Sequence, residues 1–68
     1  MKEFKLKDEY IKLGQLLKAV GIVDSGLEAK DVILDGEVFV NGEVDQRRGR
    51  KIYAGDMVQV FEEEIKVL

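Results

Sequence analysis

Four cations fall within five residues at Arg47, Arg48, Arg50 and Lys51, broken only by Gly49. Guanidinium groups carry planar forks of donors that match phosphate oxygens, and a local run of them sets a surface field that the chain-wide charge does not cancel. From Asp45 to Gly55 the one opposing carboxylate is Asp45 itself. Lys12, Lys18 and Lys30 lie in segments of helical pattern nearby in sequence. The chemistry these groups could do is to hold a polyanion. The whole chain speaks mildly against it, since 11 basic and 14 acidic residues leave a net charge of -3, and Glu62, Glu63 and Glu64 stand together near the C-terminus. For the cationic run a solvated turn is the plain alternative; for Lys12 and Lys18 it is the wet face of an amphipathic helix, and for Lys30 a free surface cation.

Other chemistries are poorly served. With no His and no Cys, the chain lacks imidazole and thiol groups for acid-base work, nucleophilic attack, disulfides or a zinc site. No Gly-rich phosphate loop stands between a strand and a helix, and Asp31 with Asp35 reads as a solvated pair one helical turn apart. We expect no catalytic residues, no metal and no cofactor. No run approaches the ~20 apolar residues of a membrane span, and Met1-Lys2-Glu3 opens no apolar leader. The expectation is a cytoplasmic chain, monomeric, with residues 1–68 forming one domain.

Several elements must position the cations. Phe4 and Leu6 alternate with Lys5 and Lys7, the period of an edge strand. From Ile11, the residues Leu13, Leu16, Leu17 and Val20 share one helical face that Gly21 can close, and Gly14 inside this segment should cost ~1 kcal/mol relative to Ala unless something packs against it. Ser25 followed by Glu28 is the capping pair of a second helix, with Ala29, Val32 and Ile33 as its stripe and Gly36 as its stop. Val38 and Val40 lead into Asn41-Gly42, the dipeptide of a two-residue type I′ hairpin that returns through Glu43 and Val44. Asp45 to Lys51 then reads as a mobile polar loop. Gly55-Asp56 makes a turn, Met57 to Phe61 a strand, the glutamates an acidic turn, and Ile65 and Val67 a final strand able to pair with the first. Phe39 and Tyr53 would stack on a base if exposed, but their apolar surroundings favour the core.

This ordered set resembles a known family: the RNA-binding domain named after ribosomal small-subunit protein four, also called the alpha-L motif. The resemblance runs from about Tyr10 to Val60. It rests on Lys12-Leu13 opening the first helix with Leu17 and Lys18 after it, on Ser25, Ala29 and Lys30 in the second helix, and on Gly36, Val38, Val40, Asn41-Gly42 and Gly55-Asp56. Two positions depart from the pattern, Gly26 where a second basic residue is common and Gly14 where an acidic one is common. The resemblance implies an α+β fold in which two adjacent short helices pack on a small, mainly antiparallel sheet with β-hairpins. It also implies a short stand-alone bacterial protein that recognises structured RNA, ribosomal RNA or tRNA, and that works with the ribosome or a ribosomal particle. The candidate RNA-binding residues are Lys12, Lys18, Ser25, Lys30, Asn41, Arg47, Arg48, Arg50 and Lys51.

Two other readings compete. A protein-interaction module on the same fold would account for the acidic balance and Gly26. A β-grasp carrier shares the Val-Asn-Gly hairpin, but its chemistry needs a Gly-Gly tail, whereas this sequence closes on Ile65-Lys66-Val67-Leu68.

Overall fold

The computed structural model describes residues 1–68. In chain order it contains β1 (Lys2–Phe4), β2 (Ile11–Lys12), α1 (Leu13–Ala19), α2 (Gly26–Leu34), β3 (Val38–Val40), β4 (Glu43–Val44), β5 (Lys51–Ile52), β6 (Met57–Val60) and β7 (Glu63–Val67). Five strands form one sheet in the order β1-β7-β6-β3-β4, and β2 and β5 make a separate two-stranded ribbon. All pairings are antiparallel except β1 with β7, which run parallel with Phe4 opposite Val67. The first strand is thus an edge strand paired with the last, and the α+β arrangement matches the expectation.

Alternation within the strands builds the core. Val38, Val40, Val58, Val60, Ile65 and Val67 point to one face of the sheet, where Leu13, Leu16, Leu17, Ala29 and Ile33 of the two helices cover them. With Val23 and Ile52 they form one cluster of 13 buried apolar side chains. A chain this short buries a smaller share of its surface than a larger domain does, so nearly every core position carries weight.

Local signals act as read. The Ser25 hydroxyl accepts from the Glu28 N–H at 3.1 Å, while the Glu28 carboxylate reaches back to the Asp24 N–H at 2.7 Å, one residue earlier than the usual reciprocal partner. Val40 pairs with Glu43 across Asn41-Gly42, which take φ of 52° and 88°, both positive as a type I′ turn demands.

Four expectations are corrected. The first helix begins at Leu13, because Ile11 and Lys12 are drawn into the ribbon with β5. The sixth strand stops at Val60, and Phe61 takes a turn conformation with φ 55°, leaving Glu63 and Glu64 inside β7 and only Glu62 with it in the turn. Phe39 and Tyr53 are not core residues: they are 38% and 42% exposed. Phe39 falls between inward-facing Val38 and Val40 and therefore stands on the uncovered side of the sheet. Finally, Asp45 to Arg50 does not hang free, for reasons set by the start of α1.

Candidate nucleic-acid interface

A helix begins with N–H groups that have no partner inside it. At α1 the preceding residue, Lys12, offers no side-chain cap. The loop after β4 supplies the acceptors instead: the Arg50 carbonyl takes the Leu13 N–H at 2.8 Å and the Arg48 carbonyl takes the Gly14 N–H at 3.0 Å. The cationic segment is therefore docked by its backbone on the helix start, with its side chains left over for other work. Gly14 permits this approach. A Cβ there would stand 2.7 Å from the Arg48 Cγ, so any larger residue would have to displace the Arg48 side chain.

Asp45 fixes the rest of the loop. Its carboxylate is 6% exposed and accepts from the Arg47 N–H at 2.9 Å, from Arg47 Nε at 3.1 Å and Nη2 at 2.8 Å, and from Arg50 Nη1 at 2.6 Å. Hydrogen bonds from the Arg47 side chain hold this carboxyl far below the usual carboxylate range, overcoming the opposite push of burial; the Arg47 backbone and Arg50 add to the effect. The same pair raises the Arg47 guanidinium further above its ordinary value. Two of the four loop cations are thus partly neutralised within the loop, Arg47 while 70% exposed. The Asp-x-Arg spacing was present in the sequence, but a local turn and a buried counterion look alike there.

Three of the other cations converge. Lys12, Lys18 and Arg48 line a groove of about 360 Å³ together with Gly14, Gln15, Gly26, Ala29 and Gly49, and no carboxylate borders it. Neither Lys12, Lys18, Arg48, Lys30 nor Lys51 forms an ion pair. Small residues form part of the groove's wall, and a Cβ added at Gly26 or Gly49 would meet no atom within 4 Å. Gly26, a departure from the family pattern, lines the space between the two helix starts, and sequence reasoning did not place it, Gln15 or Gly49 in a site.

The other candidates sit as follows. Lys51 lies directly opposite Lys12 on the ribbon, with its Nζ 4.9 Å from the centroid of the Tyr10 ring. Lys30 is exposed on α2, next to Ala29 but outside the groove. Ser25 is occupied as the cap of α2. Asn41 donates to Asp56 Oδ1 at 3.0 Å and accepts from the Met57 N–H at 2.9 Å, so its amide ties the hairpin turn to the turn before β6. No group of three or more acidic, His or Cys side chains is placed to hold a metal.

Two helices on one face of a small mixed sheet, with a cationic loop docked on the first helix, define an alpha-L type binding module. The chain belongs to the S4 domain family, whose model matches residues 4–68, a longer span than the motifs alone covered. It is 50% identical over 52 residues, 76% of this chain and 73% of the other, to a Bacillus subtilis protein named "Probable ribosome maturation protein RlbA". It is 38% identical over 62 residues to the Escherichia coli protein YbcJ, covering 91% of this chain and 89% of that one. The solution structure of YbcJ, described as revealing an alpha-L motif involved in RNA-binding, superposes with a TM-score of 0.77 over 100% of this chain and 87% of that chain. This is an RNA-binding family.

Proposed function

We propose that this protein binds structured RNA, ribosomal RNA or tRNA, through the groove between the two helix starts, as a non-catalytic factor in ribosome maturation or translation. The observation that carries the reading is the grouping of Lys12, Lys18 and Arg48 around a space free of carboxylates, in a chain that is anionic overall. Phosphate contacts from such groups supply affinity and register without reading bases, and folded RNA is recognised largely by shape and backbone. Arg47 and Arg50 contribute less than Arg48, because each already has a carboxylate partner. Lys51, paired with Lys12, and Lys30, next to Ala29, add to the cationic surface near the groove. Ser25 and Asn41 act in this reading as builders of the helix start and the hairpin. The names carried by the Bacillus relative and the described role of the YbcJ motif support the same assignment. Work on ribosomal particles would place the protein in the cytoplasm, as a monomer.

The test is retention of ribosomal RNA at low and rising salt. Binding should fall steeply with salt, and each groove cation removed, Lys12→Ala or Arg48→Ala, should lower the slope of log K against log salt by about one. Arg47→Ala should do less. Salt-independent binding, or indifference to Arg48→Ala together with Lys12→Ala, would instead favour a protein-interaction module, the reading that internal neutralisation of Arg47 and Arg50 by Asp45 favours.

A further inference from the structure

β2 and β5 form a ribbon apart from the main sheet. Its register sets Ile11 opposite Ile52 and Lys12 opposite Lys51. Ile52 is fully buried, so the ribbon's inner side is apolar, and the residues on either side of the isoleucines face outward. Continued by one residue, the register brings Tyr10 opposite Tyr53, and their ring centroids lie 5.9 Å apart at an interplanar angle of 51°. The outer face of the ribbon is therefore two tyrosines beside two lysines. Like charges directly opposite each other on paired strands are unfavourable, and large aromatic rings on a surface gain nothing from water. Both features make sense against a ligand that is at once anionic and aromatic.

The Lys51 ammonium occupies the neighbourhood of the Tyr10 ring, whereas Tyr53 remains 42% exposed. Tyr53 also borders a shallow depression with Arg47, Gly49, Arg50 and Lys51. Gly49 lines both this depression and the groove, so the two are neighbours on the surface. We propose that Tyr53 is a stacking platform for an unpaired base, the nucleotide flanking the RNA helix whose phosphates lie in the groove. This rests on the RNA-binding reading above and adds to it a preference for a duplex end or bulge over continuous duplex. An aromatic face accepts any base, so the preference is for an unpaired nucleotide and not for a sequence.

The chain has two tyrosines and no tryptophan, so ultraviolet emission excited beyond the phenylalanine absorption band reports these rings alone. In a Tyr10→Phe variant only Tyr53 emits. The probes are an RNA hairpin with a short unpaired adenosine tail and the same hairpin without it. Saturation with the tailed hairpin should quench Tyr53 emission several-fold, and the blunt hairpin should leave most of it. Tyr53→Leu, which keeps apolar cover over the ribbon, should weaken binding of the tailed hairpin about tenfold, with little change for the blunt one and an unchanged salt slope. Tyr53→Phe should behave as the parent and guards against a fold defect. Equal quenching by both hairpins, or equal affinity of Tyr53→Leu and parent for the tailed one, would overturn the stacking role while RNA binding stands. Failure of both hairpins to bind at low salt would remove the RNA-binding reading itself and this inference with it.

Discussion

The side chain of Arg48 lies across Gly14, its Cγ 2.7 Å from the point where a Cβ on that glycine would be, and the Arg48 carbonyl accepts the Gly14 N–H at 3.0 Å. One residue of the loop thus caps the helix through its backbone and reaches the groove through its side chain. Position and charge are fixed by the same contact.

Gly14→Ala should therefore act against the usual rule. Alanine normally gains up to ~1 kcal/mol over glycine in a helix, but here the added methyl must displace Arg48, a penalty of about 1–3 kcal/mol. Denaturant titration should show a net loss, and RNA affinity should drop as Arg48 moves. In an Arg48→Ala background the same change should become neutral or stabilising; an equal effect in both backgrounds would rule out the contact as the cause.

Asp45 predicts an acid limb in the stability curve. Its pKa is depressed in the folded state, so its contribution is present in full above the unfolded carboxylate value of about 4 and is lost as pH falls below that value. Asp45→Asn should flatten this limb. At neutral pH it should also cost about 2 kcal/mol, through weakened hydrogen bonds to Arg47 and Arg50. Thermal melts across the acid range compare the two.

Asn41→Ala should destabilise by about 2 kcal/mol, since it removes two hydrogen bonds and places an ordinary residue at φ 52°. Asn41→Gly, which tolerates that angle, should lose less. RNA affinity of the folded molecules should be unaffected by either change, and a specific loss of affinity would return Asn41 to the interface.

At Phe61 the side chain is exposed and φ is 55°, a conformation that Asn and Gly adopt at lower cost. Phe61→Asn should raise stability by about 1 kcal/mol. An unchanged or lowered denaturation midpoint would mean that the ring contributes packing that outweighs the strain.

What the sequence disclosed was what neighbours in the chain decide. The Ser25 to Glu28 cap, the Asn41-Gly42 turn and the inward valines of β3 and β6 each depend on residues a few positions apart. The ribbon did not show, because Ile11 and Lys12 continue the helical period of Leu13, and only a partner some forty residues away turns them into strand. The same distance hid the pairing of Tyr10 with Tyr53. Among the candidate cations, the run from Arg47 to Lys51 was obvious, yet its division into two arginines held by Asp45 and others left free depends on how the loop folds. Gly14 and Gly26 were visible as departures from a pattern; that the first seats the Arg48 side chain and the second borders the groove emerged only with their neighbours in place.

The placement of β7 between β1 and β6 has a consequence for how the chain matures as it is made. Residues 2 to 4 are synthesised before the other strands, but their hydrogen-bonding partner is the strand from Glu63 to Val67. During N-to-C synthesis the opening strand stays unzipped while both helices and the β3–β4 hairpin are already available to form. The sheet is sealed by a keystone that arrives last, and loss of that single strand would strip β1 from the sheet and expose the long edge of β6 in the same stroke.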